Sequence, residues 1–301
     1  YTESQRNVLH GFIVSKALYV SLEGSDSNDG SSPTSAVKTL QRATQLVAEE
    51  GNTLILLADG EHFVEETVSV GSNVTVKSLN EGQATLSGSK VVDKKKITEK
   101  TDATLGRVWE IPYDEKINQL YINTSYGIRA RYPDAGQDLR LFNADETMQK
   151  ISVFADDVAG YSAAALQESV MAVTVQWATS YLRVKSVADA TYNGLALKNF
   201  TFCNEDSTVF SRALQISPRA AYHFENSKAF LNAKGEWFYD ESVQIIYYLP
   251  YDSETIENTT VRIPVTETLI SVKGQSGAKL QNVTFDGVNF MYTANKTVDG
   301  K

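Results

Sequence analysis

The apolar positions of this chain keep a steady rhythm from residue 18 to residue 88. A short apolar run at 18–21 leads into a polar, turn-rich loop at 24–35. Residues 37–50 then read as an amphipathic helix, with Leu40, Ala43 and Val47 on one face and Gly51 placed to cap its C-terminus. Three β-branched runs follow, Thr53-Leu54-Ile55-Leu56-Leu57, Val74-Thr75-Val76-Lys77-Ser78 and Ala84-Thr85-Leu86-Ser87-Gly88. Turn residues separate them at Asp59-Gly60, Gly71-Ser72-Asn73 and Asn80-Glu81-Gly82. One coil of this size cannot bury its apolar side alone and has to lie on a neighbour, so the rhythm predicts a stack. The helix would cover the open end of its first coil, burying Leu40, Val47, Leu54, Leu56, Val76 and Leu86.

The rhythm stops after Gly88. Residues 94–106, beginning with Lys94-Lys95-Lys96, read as a loop. From 108 to 264 the chain alternates apolar and polar residues as strands do, for example Val173-Thr174-Val175-Gln176-Trp177 and Tyr181-Leu182-Arg183-Val184, with one helical patch at 163–171. Coil spacing resumes at 269–274 and 280–290. The expected organisation is a cap helix and first coils at 15–92, an inserted β-rich domain at 93–266, and resumed coils at 267–301. Few residues follow Phe290, so a longer chain or a partner chain is expected to complete the solenoid.

Several motifs carry a family likeness. Tyr19-Val20-Ser21, Gly24-Ser25-Asp26-Ser27-Asn28-Asp29-Gly30, Lys38-Thr39-Leu40-Gln41-Arg42-Ala43 and Gly51-Asn52-Thr53-Leu54-Ile55 resemble the opening of secreted right-handed parallel β-helix proteins. Further on come Gln119-Leu120-Tyr121-Ile122-Asn123, Arg129-Ala130-Arg131-Tyr132-Pro133, Tyr222-His223-Phe224-Glu225-Asn226, Gly235-Glu236-Trp237-Phe238-Tyr239-Asp240 and Ile246-Tyr247-Tyr248-Leu249-Pro250. The last is Leu280-Gln281-Asn282-Val283-Thr284-Phe285-Asp286-Gly287-Val288. In this order they are similar to the β-helix glycoside hydrolases of family 141, a group with α-fucosidase and xylanase members. The resemblance implies an all-β fold of the pectate-lyase type, a parallel β-helix carrying a barrel-like accessory domain. It also implies that the catalytic carboxylates lie in later coils, so that this stretch is the N-terminal part of the enzyme.

The 301 residues are 42% hydrophobic and 22% charged, enough for a large core. A net charge of −9 disfavours nucleic acid and polyanionic glycans and points to a neutral polysaccharide or glycan as partner. No run reaches the roughly 18 to 20 apolar residues of a membrane span. Cys203 stands alone and reads as a small buried apolar residue. Six Asn-x-Ser/Thr sequons, at Asn73, Asn123, Asn199, Asn258, Asn282 and Asn295, fit an extracellular glycoprotein, although a Thr-rich β protein generates such triplets anyway. Asn282 is the poorest of them because it lies within a strand.

Candidate chemistry is sparse. Glycoside cleavage needs two carboxyl groups across the bond, and the weak candidates are Glu236, Asp240 and Asp286. Glu236 beside Trp237 suits an acid of raised pKa, or ends a hairpin turn with Gly235. Glu236 and Asp240, four apart in a strand-turn-strand segment, are not expected on one face. Trp237 and Tyr247 offer sugar-stacking surfaces, or fill the core of the insert. Arg129 and Arg131, two apart, are expected on one strand face as a clamp for substrate, or as ion-pair partners of Asp134 or Glu225 joining insert to solenoid. His223 has no second histidine close by, so no zinc site is expected, and the 26–30 loop reads as a capped turn rather than a calcium loop. No cofactor motif is present. Two readings stand: part of a secreted polysaccharide-active glycoside hydrolase, or a non-catalytic extracellular module for glycan adhesion or surface assembly.

Overall fold

The computed structural model describes residues 8–9, 12–145, 149–175, 178–203 and 219–295. Gln176 and Trp177, expected at the end of a strand, lie outside them. The chain divides into two compact units, one built from 1–90 and 262–294, the other from 91–261 and 295–301.

In the first unit three ladders of parallel strands run side by side. Phe12–Val20 pairs with Asn52–Leu57, that strand with Val74–Ser78, and that in turn with Val283–Asp286. Gly60–Phe63 pairs with Ala84–Ser87, which pairs with Val288–Met291, and Val68–Ser69 pairs with Ile270–Ser271. In every ladder the strand from the C-terminal segment lies on one from residues 68–87. Leu18, Ile55, Leu57, Val76 and Leu86 fill the space between the ladders and are almost wholly buried. The register also aligns three asparagines: Asn52 and Asn73 precede the paired Thr53 and Val74, and Asn282 precedes Val283.

The helix is shorter than its apolar period predicts, spanning Leu40–Gln45. Thr39 caps it by accepting from Arg42 N, and the Asp26 carboxylate accepts from Lys38 N, Thr39 N and the Thr39 hydroxyl. Beyond Gln45 the backbone turns away because other groups take its polar atoms. Lys16 Nζ donates to Leu46 O, and Ala48 N donates to the Thr53 hydroxyl. Val47 is therefore only half-buried, whereas Leu40, Leu54, Leu56, Val76 and Leu86 are buried as expected. Gly51 takes φ +81°, the left-handed turn required where the chain enters the next strand.

The second unit is mainly antiparallel. One sheet orders Ile128–Arg129, Glu236–Asp240, Ile245–Tyr248, Gly106–Pro112 and Thr98–Asp102. A second, the largest, runs from Arg131–Tyr132 through Ala221–Glu225, Val170–Val175, Ala178–Tyr192, Leu195–Phe202 and Lys150–Phe154 to Asn143–Asp145. Among the described residues the expected barrel does not close. The path has two ends, and the long strand Ala178–Tyr192 turns the corner at an irregularity between Val184 and Ser186. Its first part pairs with Val170–Val175 and its second with Leu195–Phe202. Tyr222, Phe200, Phe224 and Phe230 lie in the resulting core.

Two local expectations are corrected. Within 94–106, read as a loop, Thr98–Asp102 is a strand; every residue in it is exposed, and ion pairs Lys100–Glu110 and Arg107–Glu99 hold it to its neighbour. The helical patch 163–171 is a helix only over Ala163–Gln167, because Val170 and Met171 already pair as a strand with Arg183 and Leu182. Among the described residues no helix is long and apolar enough to cross a membrane.

Candidate functional site

At Ala130 the chain passes from one sheet of the second unit to the other. Arg129 pairs in register with Trp237, while Arg131 pairs with Glu225. The two arginines therefore belong to different sheets, against the expectation of one shared strand face. Arg131 Nε donates to Pro133 O, and its NH2 group to Gln137 O and to Asp138 Oδ1 at 3.1 Å. Its ion-pair partner is thus Asp138, in the same unit, rather than Asp134 or Glu225.

Arg129 faces a cleft of about 510 Å3 whose walls include Lys228, Phe238, Asp240 and Glu241. Its guanidinium carbon lies 5.8 Å from the centre of the Trp237 ring. Trp237 is 1% exposed and donates from Nε1 to Gly127 O. A Cβ on Gly127 would stand 2.9 Å from Leu120 O and 3.0 Å from the indole, so glycine lets the ring seat there. Lys228 Nζ sits 4.0 Å from the centre of the Tyr247 ring and 3.6 Å from Asp240 Oδ2. The cleft thus gathers Arg129, Lys228 and Asp240, and the rings of Trp237 and Tyr247 each lie against one of the two cations.

The three candidate carboxylates differ sharply. Glu236 is 1% exposed, and its oxygens accept from Arg131 N, Asn232 N and Ala233 N. Burial pushes this carboxyl up, against the pull of those N–H groups. Asp240 moves the opposite way: the Ser242 hydroxyl, with Ser242 N and Lys228, holds it below the usual carboxylate range. Both lie on the single strand Glu236–Asp240, not on a strand-turn-strand, so alternation puts them on one face after all. Four residues of strand still separate them by about 13 Å, beyond the roughly 5 to 9.5 Å that glycoside cleavage uses. Asp286, in the first unit, pairs with Lys77, the residue opposite it on the neighbouring parallel strand.

Residues 106–251 match the family model of the GH141 insertion domain. A solved structure described as a glycoside hydrolase superposes with a TM-score of 0.79 at 22% identity, covering 93% of this chain and 51% of its own. The chain thus spans about half the length of that protein, and at this identity the likeness speaks for the fold alone. A second solved structure, of XylC with xylose, covers 93% of this chain and 36% of its own at 12% identity and a TM-score of 0.40, too low to carry an argument. No curated protein matches.

The GH141-like insert also holds a polar cluster that the sequence motifs do not reveal. His223, 8% exposed, has Nδ1 at 3.2 Å from Asp138 Oδ1 and Nε2 at 2.8 Å from Glu225 Oε1. Through Asp138 this joins Arg131. Strand alternation in Tyr222-His223-Phe224-Glu225 places His223 and Glu225 on one face, a signal available in the sequence. Asp138 comes from a loop and gives none. Lys228 is equally silent, since one lysine in a polar stretch is indistinguishable from a solvated one.

The sequons differ in how much of each amide is engaged. Asn258 is tied at both ends, Nδ2 donating to Ser253 O while Oδ1 accepts from Thr255 N and the Thr259 hydroxyl. Asn123 Oδ1 accepts from Thr260 N, and Asn199 Oδ1 from the Ser152 hydroxyl.

Proposed function

We propose that the chain is part of a secreted, extracellular carbohydrate-active protein of the glycoside hydrolase type. The first unit is read as the early coils of a right-handed parallel β-helix and the second as its inserted domain, with 15–92, 93–266 and 267–301 as the sequence boundaries. The match of residues 106–251 to a GH141 insertion domain carries this reading. The parallel ladders, in which the segment after the insert stacks on the one before it, support the β-helix. Further coils, from a longer chain or a partner, would bring the cleaving carboxylates.

In this reading the cleft beside Arg129 binds a polysaccharide. Arg129 and Lys228 offer donors to sugar hydroxyls, Asp240 accepts, and Trp237 and Tyr247 hold the two cations in place rather than stacking on sugar. Arg131 acts as a strut. The sequons at Asn73, Asn123, Asn199, Asn258 and Asn295 would be candidates for glycans.

A non-catalytic adhesion module is favoured by one observation: each candidate carboxylate already has protein partners. Incubating the purified chain with fucosylated and xylan-type oligosaccharides separates the two. Binding that weakens in Arg129→Ala without released reducing ends is expected of this segment. Turnover abolished by Glu236→Gln or Asp240→Asn would overturn the placement of catalysis elsewhere.

A further inference from the structure

The outer face of the second sheet in the insert carries a different surface, separate from the Arg129 cleft. Along Lys150–Phe154 the side chains alternate, Ile151 and Val153 entering the core while Lys150, Ser152 and Phe154 face outward. In register, Asn143, Ser152 and Asn199 form one row across three strands, with Ala188 beyond them. The next row on that face is Phe154, Leu197 and Ala190. Small Ala190 leaves room for a groove of about 420 Å3 lined also by Asn143, Ser152, Asn199 and Leu197, with Phe142 and Tyr192 as its aromatic walls.

The rings form a connected set. Phe142 lies 5.3 Å from Phe154 and 5.6 Å from Tyr192, centre to centre. Tyr192 is 57% exposed. The groove's polar edge is preorganised: Ser152 Oγ donates to Asn199 Oδ1 at 2.7 Å, so it is the NH2 end of Asn199 that a ligand can meet. Among the described residues, Lys150 is the one charged side chain lining it.

We infer that this face is a second glycan-binding surface, taking an uncharged oligosaccharide laid across the strands. A pyranose presents an apolar C–H face and a rim of hydroxyls. Aromatic walls beside a row of amides and a hydroxyl match both at once, and an acidic chain would find no cation besides Lys150 in the lining. A protein segment would meet amides and a hydroxyl between the aromatic walls, where its own apolar side chains would have to pack. The assignment withdraws Asn199 from the glycan candidates named above, because a sugar carried on its nitrogen would itself fill the groove.

The test uses the chain with its Arg129 cleft disabled by Arg129→Ala, so that failure of the cleft reading leaves this one measurable. Titration calorimetry with xylohexaose, cellohexaose and mannohexaose should show binding by at least one of them. Tyr192→Ala and, separately, Asn143→Ala should weaken it tenfold or more, while Tyr251→Ala, an exposed aromatic elsewhere, leaves it unchanged. Circular dichroism melts check that the variants stay folded. No binding by any probe, binding indifferent to Tyr192, Tyr192→Ala altering only self-association, or a glycan found on Asn199 by mass spectrometry would each overturn the proposal.

Discussion

Asn282 Nδ2 donates to Asn73 Oδ1 at 2.9 Å, although the two are 209 positions apart in the chain. Both asparagines sit at positive φ, 55° and 60°, where asparagine is better tolerated than most side chains. The amides tie together the entries of two neighbouring parallel strands, Val74–Ser78 and Val283–Asp286. Asn73→Ala should cost about 1 to 2 kcal/mol through the lost hydrogen bond and the strained backbone, read from urea denaturation. Neutrality would mean that these entries are held by the backbone ladder alone.

Glu236 gives a signed pH effect. Its folded-state carboxyl is raised by burial, so the folded chain holds that proton more tightly than the unfolded chain. The stability this contributes is present at low pH and is lost as pH rises from the usual glutamate value through the raised one. Glu236→Gln should remove that part of the slope, so the difference in melting temperature between variant and parent should shift in the variant's favour from pH 4 to pH 7. A parallel pair of curves would show the group titrating normally.

His62 works in the opposite direction. It is 3% exposed, its Nε2 stands 2.7 Å from Ala58 O, and its Nδ1 has no hydrogen-bond partner among the described residues. Burial pushes the imidazole below its usual value, so the unfolded chain takes up the proton first and stability falls as pH drops through the imidazole range. His62→Gln can keep the bond to Ala58 and should melt with less loss between pH 7.5 and pH 5.5 than the parent.

Trp237 tests packing against recognition. Its ring is fully enclosed, so Trp237→Ala should cost about 3 to 5 kcal/mol. If that variant kept its melting temperature and lost only oligosaccharide binding, Trp237 would be a sugar platform after all.

The sequence was most legible where one physical demand dominates. Strands Asn52–Leu57, Val74–Ser78 and Ala84–Ser87 are sandwiched against a shared core, and their apolar runs between turn residues announce it. Legibility failed where long-range partners decide. The helix stops early because Lys16 and Thr53 claim backbone atoms beyond Gln45. Thr98–Asp102 carries no apolar alternation and exists as a strand through pairing and cross-strand charges. The separation of Arg129 from Arg131 depends on which strands flank Ala130, and no local pattern encodes that. The groove at Phe142 and Tyr192 is likewise assembled from segments whose registers only the fold brings together.

The first unit is interrupted by residues 91–261, and an end strand of each of its parallel ladders is supplied by the segment C-terminal to the insert. In the unfolded chain, closing a loop of roughly 170 residues costs about 2.5 kcal/mol more than closing a ten-residue turn. Contacts so distant in sequence also slow folding. During synthesis, strands Val74–Ser78 and Ala84–Ser87 therefore leave the ribosome with one side unpaired and wait for the whole insert to emerge. At ~5 to 20 residues per second that interval is on the order of ten seconds or more. A chain with the insert replaced by a tight turn should complete its parallel ladders sooner and spend less time with bare edges open to aggregation.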